Sequence, residues 1–269
     1  MSLVACVRIP TDPEGAAAAL GHGVGLTLAE ARIRLAPEPP AILASLAPEA
    51  AARLVSELRR AGLAALVVED AESLPGPRIV PRSATLGPAG GIFQPRAGAA
   101  LELPWAEVSA LFRGASTVRS ETATLQQTAK FSLSTAIATQ GLKVSRKEDR
   151  TVRSQQEETE QVILLYGKRG QRVVLREREL DFSFLGAALQ PTRLANMVAL
   201  ARLLKEKVPG AFYDERLLRL GRRPLPLFVG GETHVQMGKT SQMLLDTSGG
   251  LEVLGTALWR AVEEGLLSP

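Results

Sequence analysis

Gly25-Leu26-Thr27-Leu28-Ala29-Glu30-Ala31-Arg32 opens, and Leu63-Ala64-Ala65-Leu66-Val67-Val68-Glu69-Asp70 closes, the stretch whose reading decides the fold. Thr27 is the residue type that caps a helix N-terminus. Leu28, Ala31 and Leu35 behind it share one helical face until Pro37 and Pro39-Pro40 end the run. Ala41 to Leu46 reads as an apolar strand. A further helix begins behind Pro48, where Ala51, Leu54, Val55, Leu58 and Ala61 recur at the spacing of a helix that buries one side, and Gly62 stops it. Toward the N-terminus, Leu3 to Ile9 alternates as a strand and ends at Pro10-Thr11-Asp12-Pro13. Asp12 can cap a helix that has Pro13 as its first residue and closes at Gly21-His22-Gly23. The expected order is strand, helix, helix, strand, helix, strand.

These residues resemble the C-terminal domain of the bacterial ribosomal stalk protein, a fold shared with the substrate adaptor of the Clp protease. The family's Gly-Leu-Gly-Leu-Lys-Glu-Ala-Lys pattern falls on Gly25 to Arg32, and its Ala-x-x-Leu-x-x-x-Leu-x-x-Ala-Gly pattern falls on Ala51, Leu54, Leu58 and Ala61-Gly62. The resemblance implies a three-stranded sheet backed by helices, with an exposed helical face that docks a protein partner. In the stalk family that partner is a translation GTPase. Ala29 stands where the family has lysine, and Ala and Arg replace much of its lysine-rich face. The partner-binding residues the resemblance points to are Leu26, Leu28, Glu30 and Arg32.

At 269 residues the chain can bury a substantial core and accommodate two domains plus an accessory segment. No run reaches the roughly 18 consecutive apolar residues of a membrane span, and Met1 to Arg8 lacks the pattern of a signal peptide, so a cytoplasmic location is expected. The single cysteine, Cys6, alternates with apolar neighbours and reads as a small strand residue. Net charge is +4, unevenly spread: residues 1–70 carry six basic and eight acidic side chains, residues 71–228 carry 24 and 15, and residues 229–269 carry two and five. The basic middle is either an anion-attracting patch or the solvated face of an arginine-rich protein.

Ala71 to Pro77 reads as a stiff linker. Short apolar runs follow at Arg78 to Leu86, Gly91 to Pro95, Ala100 to Trp105 and Val108 to Gly114, and two more at Gln161 to Tyr166 and Gln171 to Glu179, joined by the hairpin loop Gly167-Lys168-Arg169-Gly170. A helix then starts at Pro191 and carries Leu194, Met197, Val198, Ala201, Leu204 and Val208 on one stripe before Pro209-Gly210. Several antiparallel strands followed by one amphipathic helix resemble a bacterial pleckstrin-homology-like domain. Residues 119–160 interrupt the pattern with a polar stretch, read as either a binding loop or a long mobile hairpin; Phe131, Leu133, Ile137, Leu142 and Val144 suggest that part of it forms extra strands.

The fold class expected is α+β: a small N-terminal β-α-α-β-α-β domain, then an antiparallel, β-rich pleckstrin-homology-like barrel with a C-terminal helix. The domains expected are residues 1–70, a linker at 71–77, residues 78–228 with the long insertion 119–160, and a tail at 229–269. In that tail Gly238-Lys239-Thr240 follows an apolar run at Leu225 to Val229, but a phosphate loop needs a glycine five residues before Gly238, and Thr233 stands there. His22 and His234 have no Cys, His or carboxylate neighbours at ligand spacing. Leu251, Leu254, Leu258, Ala261 and Val262 mark a last amphipathic helix with Trp259 on its flank, which packs on the chain's own core or on a partner.

The function expected is a non-catalytic adaptor or scaffold that docks a protein partner of unknown identity through both domains. It calls for no cofactor, no metal and no catalytic residue, since no nucleophile, base and orienter stand at recognisable spacing. The alternative is a module that docks on nucleic acid or an anionic membrane through Arg146, Lys147, Arg150 and Arg153, with Lys168, Arg169 and Arg172. Local carboxylates such as Glu148, Asp149, Glu177 and Glu179 dilute that basic set, so nucleic-acid affinity is expected in the non-specific range, about 10⁻⁴ to 10⁻⁶ M.

Overall fold

The computed structural model describes residues 1–68, 76–131, 145–222, 231–237 and 240–268. The first six elements follow the expected order: β1 (Ser2–Cys6), α1 (Pro13–Val24), α2 (Leu28–Leu35), β2 (Ala41–Leu46), α3 (Pro48–Arg60) and β3 (Ala65–Val68). The Asp12 side chain accepts the Gly15 N–H at the start of α1, and Gly25, at φ 73°, ends it in the left-handed region that glycine enters without a Cβ clash. Thr27 and Glu30 form a reciprocal capping box on α2. Pro48 opens α3. The strands form an antiparallel sheet in the order β2-β1-β3.

The strands and α-helices that follow are β4 (Arg78–Ile79), β5 (Pro81–Leu86), β6 (Gly90–Pro95), β7 (Leu101–Pro104), β8 (Val108–Phe131), β9 (Ser145–Gly167), β10 (Arg172–Arg176), α4 (Arg193–Lys207), β11 (Phe212–Asp214), β12 (Gly231–Met237), β13 (Thr240–Asp246) and α5 (Ser248–Glu263). Strands β5, β6 and β7 form an antiparallel meander. A seven-stranded sheet runs β12-β13-β8-β9-β10-β4, with β11 beside β8. The chain is therefore mixed α and β with several sheets, and among the described residues none closes into a barrel. The polar stretch at 119–160 is strand where it is described: residues 119–131 continue β8 and 145–160 belong to β9. Leu133, Ile137, Leu142 and Val144 lie outside the described residues, as do most of the expected linker and the run Leu225 to Val229.

Two compact units emerge. The smaller comprises Thr117–Glu158 and Gly231–Asp246, where β13 pairs antiparallel with both β12 and β8. The larger comprises Met1–Ser116, Thr159–Gly230 and Thr247–Pro269, so α5 belongs to the same unit as the N-terminal sheet.

Side-chain alternation explains how the larger unit is layered. In β9, Val162, Leu164 and Tyr166 enter one core while Ile163 and Leu165 enter another; in β10, Val174 goes to the first and Val173 and Leu175 to the second. A continuous apolar run of this kind is what a strand buried on both faces requires. The second core contains Met197, Leu200, Ala201 and Leu204 of α4 together with Phe93 and Leu103 of the meander. The first contains Leu251, Leu254, Ala257 and Leu258 of α5, and it also takes Ala5, Val7, Ile42, Leu66 and Val68 from the N-terminal sheet. The opposite face of that sheet, through Val4, Cys6 and Leu43, meets Leu20, Leu54 and Leu58 of the helices. Helix α5 is thus a middle layer between two sheets, on the chain's own core.

Two readings of the helices change. In α4, Leu194 is half-exposed and Leu200 takes the inward position. Asn196 is buried beside it, because its amide closes a pair of hydrogen bonds with the backbone of Gln190, at 2.6 and 3.0 Å. In α5, Trp259 is buried rather than on the flank: it stacks on Tyr166 at 5.6 Å and its indole N–H donates to the Ser109 hydroxyl at 3.0 Å.

Candidate functional site

Helix α2 docks through one fully buried small residue, with Leu35 packed partly against the same core. Ala31 is fully buried, and the facing position on α1 is Gly21, where an added Cβ would stand 2.9 Å from the Leu26 carbonyl oxygen. Leu26 forms the joint between the helices, with its N–H donating to the Gly21 carbonyl at 2.9 Å. Arg34 fastens the other end through a 3.1 Å hydrogen bond to the Leu43 carbonyl on β2. The remaining surface faces water. At 100° per residue, Leu28, Arg32, Ala29 and Ile33 follow one another around the solvent side. Leu28 is 43% exposed and Ile33 73% exposed. Leu28 therefore leaves the buried face on which the sequence placed it with Ala31.

The charged residues of this surface are held in place by near neighbours. Glu30 accepts hydrogen bonds from the Thr27 backbone and hydroxyl, both at 2.8 Å, and these hold its carboxyl below the ordinary carboxylate range. Arg32 pairs with Glu14 of α1, which holds the guanidinium's proton more firmly still. Leu26, Leu28, Glu30 and Arg32 are thus brought together on one helix and its leading turn. Ile33 completes the surface and was not singled out by sequence; an apolar residue off the Leu28-Ala31-Leu35 stripe was the available signal.

The basic residues of the alternative reading are not gathered in the same way. Arg146, Lys147, Arg150 and Arg153 lie along β9, with side chains outside the described residues. Lys168 donates to the Ala106 carbonyl at 2.9 Å, and Arg169 stands 3.5 Å from Glu107. Arg172 is buried, 5% exposed, so it is a residue of the interior and not of a binding surface.

A second polar constellation lies where α5 meets β4 and β10. Glu252 accepts two hydrogen bonds of 2.7 Å from Arg78 and one of 3.5 Å from Arg176. Burial works against its charge, but the Arg78 hydrogen bonds and the two guanidinium charges outweigh burial and hold its carboxyl below the ordinary range. Tyr166 is buried next to it, with its hydroxyl 3.2 Å from that of Thr256; desolvation pushes the phenol up. Every member is satisfied by another, so the constellation ties α5 to the sheet.

Among the described residues no group of three or more His, Cys, Asp or Glu side chains could hold a metal ion, and no helix is long and apolar enough to cross a membrane. Gly238 and Lys239 lie outside the described residues, and Thr240 begins β13. No family model, curated protein or solved structure matches the chain.

Proposed function

We propose that the chain is a non-catalytic adaptor that docks a protein partner on the solvent face of α2. The observation that carries this reading is the exposure of Ile33 and Leu28 on a helix that is capped at its start, pinned by Arg34 and docked through Ala31. Large apolar side chains held rigidly in water favour a partner that covers them, because burial recovers about 25 cal/mol per Å² and little ordering remains to be done on binding. The resemblance of Gly25 to Gly62 to the stalk-protein domain supports the same surface. In this reading residues 1–70 are a stalk-like module, and the strands and α4 of residues 78–228 form a pleckstrin-homology-like scaffold behind it.

A photo-crosslinking amino acid at position 33, compared with one at the exposed position 53 of α3, tests the surface directly. The reading expects a discrete protein adduct from position 33 in native lysate and none from position 53. Equal labelling from both positions contradicts it.

A further inference from the structure

The sheet order β12-β13-β8-β9-β10-β4 ends on β12, and the smaller unit to which β12 belongs holds strands and no helix among its described residues. All seven residues of β12 pair with β13 in one unbroken register, from Gly231 opposite Asp246 to Met237 opposite Thr240. Backbone groups alternate sides along an antiparallel strand, so every second residue of β12 turns its N–H and C=O away from β13. A row of such groups is a template for another strand.

The other strands that end a sheet are all interrupted. At the opposite end of the same sheet order, β4 is two residues long. In the meander, β5 starts at Pro81 and slips register before Ser83, while β7 has four residues and ends at Pro104. In the N-terminal sheet, β2 slips register at Leu43, whose carbonyl accepts from Arg34, and β3 has four residues, with the Ala65 carbonyl accepting from Arg59 at 2.7 Å. Short strands, prolines, bulges and charged side chains laid on the backbone are the devices that keep edges from pairing. The sequence of β12, Gly-Glu-Thr-His-Val-Gln-Met, carries no proline and no lysine, and Glu232 is its one acidic residue.

We infer that the β12 edge pairs antiparallel with β12 of a second copy of this chain, about a twofold axis at His234. A seven-residue strand laid antiparallel on itself overlaps fully in one register, which sets His234 opposite its own copy, Thr233 opposite Val235, Glu232 opposite Gln236 and Gly231 opposite Met237. Each of these pairs joins residues of the same alternation, so both strands present their free backbone groups at the same levels. No acidic residue stands opposite another, and the β-branched pair of Thr233 and Val235 is a favourable cross-strand neighbour. The contact is isologous and therefore closes: each copy uses its one long edge, and β4 at the other end of the order is too short to pass the sheet on. A discrete dimer follows, and not a fibre. This surface is independent of the reading of α2.

The test is sedimentation equilibrium of the full-length chain over a concentration series, with hydrogen exchange of residues 231–237 measured at both ends of the series. The expected result is a monomer–dimer equilibrium in which these amides gain protection as the dimer forms. Thr233→Lys/Val235→Lys puts like charges opposite one another twice in the twofold register and should weaken dimerisation about tenfold, whereas Thr233→Lys/Val235→Glu puts opposite charges there and should keep the wild-type dimer. Equal dimerisation by the two variants overturns the register. Monomer at every concentration, or a dimer without added protection at 231–237, overturns the edge as the interface, and this wild-type measurement stands even if a variant fails to fold. Protection that arises only when a protein from lysate binds a monomeric chain overturns the second copy in favour of another protein's strand.

Discussion

Arg78 of β4 and Glu252 of α5, 174 residues apart in sequence, face each other as a parallel fork, Nε to Oε2 and Nη2 to Oε1, both at 2.7 Å. The pair fastens the middle helix to the edge of the sheet. Removing Arg78 leaves Glu252, whose side chain is 12% exposed, without its main partner. Arg78→Ala should therefore cost about 1–3 kcal/mol in chemical denaturation, the penalty for orphaning a hydrogen-bonded charge. Arg78→Ala combined with Glu252→Ala should cost less than the two single changes added, since each has already broken the same pair.

The same carboxylate predicts how stability responds to acid. Its native pKa lies below the ordinary value of 4.5, so the unfolded chain takes up the proton more readily than the folded one. The stability it contributes is complete above pH 4.5 and is lost as pH falls from there through the native value. Glu252→Gln should flatten that part of the stability profile relative to wild type. Parallel profiles for the two proteins below pH 4.5 would contradict the assignment.

Leu58 of α3 is fully buried among the helices and the N-terminal sheet. Leu58→Ala should cost roughly 2–5 kcal/mol, the range for emptying a leucine site in a core. Ile33→Ala should change stability by less than about 0.5 kcal/mol, because its side chain already stands in water. Urea denaturation of both variants separates the buried face from the exposed one.

Gly255 lies inside α5, where glycine would ordinarily be about 0.5–1 kcal/mol worse than alanine. Here the sign reverses. A Cβ at this position would meet Leu164 Cδ1 at 2.5 Å and the Tyr166 hydroxyl at 2.9 Å, both fully enclosed in the shared core. Gly255→Ala should lower the melting temperature and cost about 1–3 kcal/mol by overpacking. A stabilised variant would mean that α5 is not closed in between the sheets.

The N-terminal elements were legible because each boundary is written locally: Asp12-Pro13, Thr27 with Glu30, Pro48 and Gly62 act within four residues of the ends they set. The outer halves of β8 and β9 were not, because Arg119 to Lys130 and Arg146 to Glu160 are rich in Ser, Thr, Gln and charge and lack the apolar alternation that marks a half-buried strand. The inward turn of α4 slipped because a buried polar residue, Asn196, took a place that hydropathy assigns to an apolar one. The depth of α5 was hidden for a related reason: Gly255 and Thr256 are buried without being strongly apolar, and only the two sheets around them reveal it. At the candidate docking surface the exposed apolar pair was only half legible: the stalk resemblance pointed to Leu28 while its helical stripe placed it with Ala31, and Ile33 lay off that stripe.

The most direct measurement is quantitative capture from native lysate by the tagged full-length chain, beside Leu28→Asp/Ile33→Asp and Arg53→Gln, with melting curves for all three. Docking on α2 predicts that wild type and the arginine variant retain the same discrete protein, while the α2 variant loses it at least about tenfold without a change in melting temperature, as truncating an interface centre does. Undiminished capture by Leu28→Asp/Ile33→Asp would contradict the adaptor surface proposed for this protein.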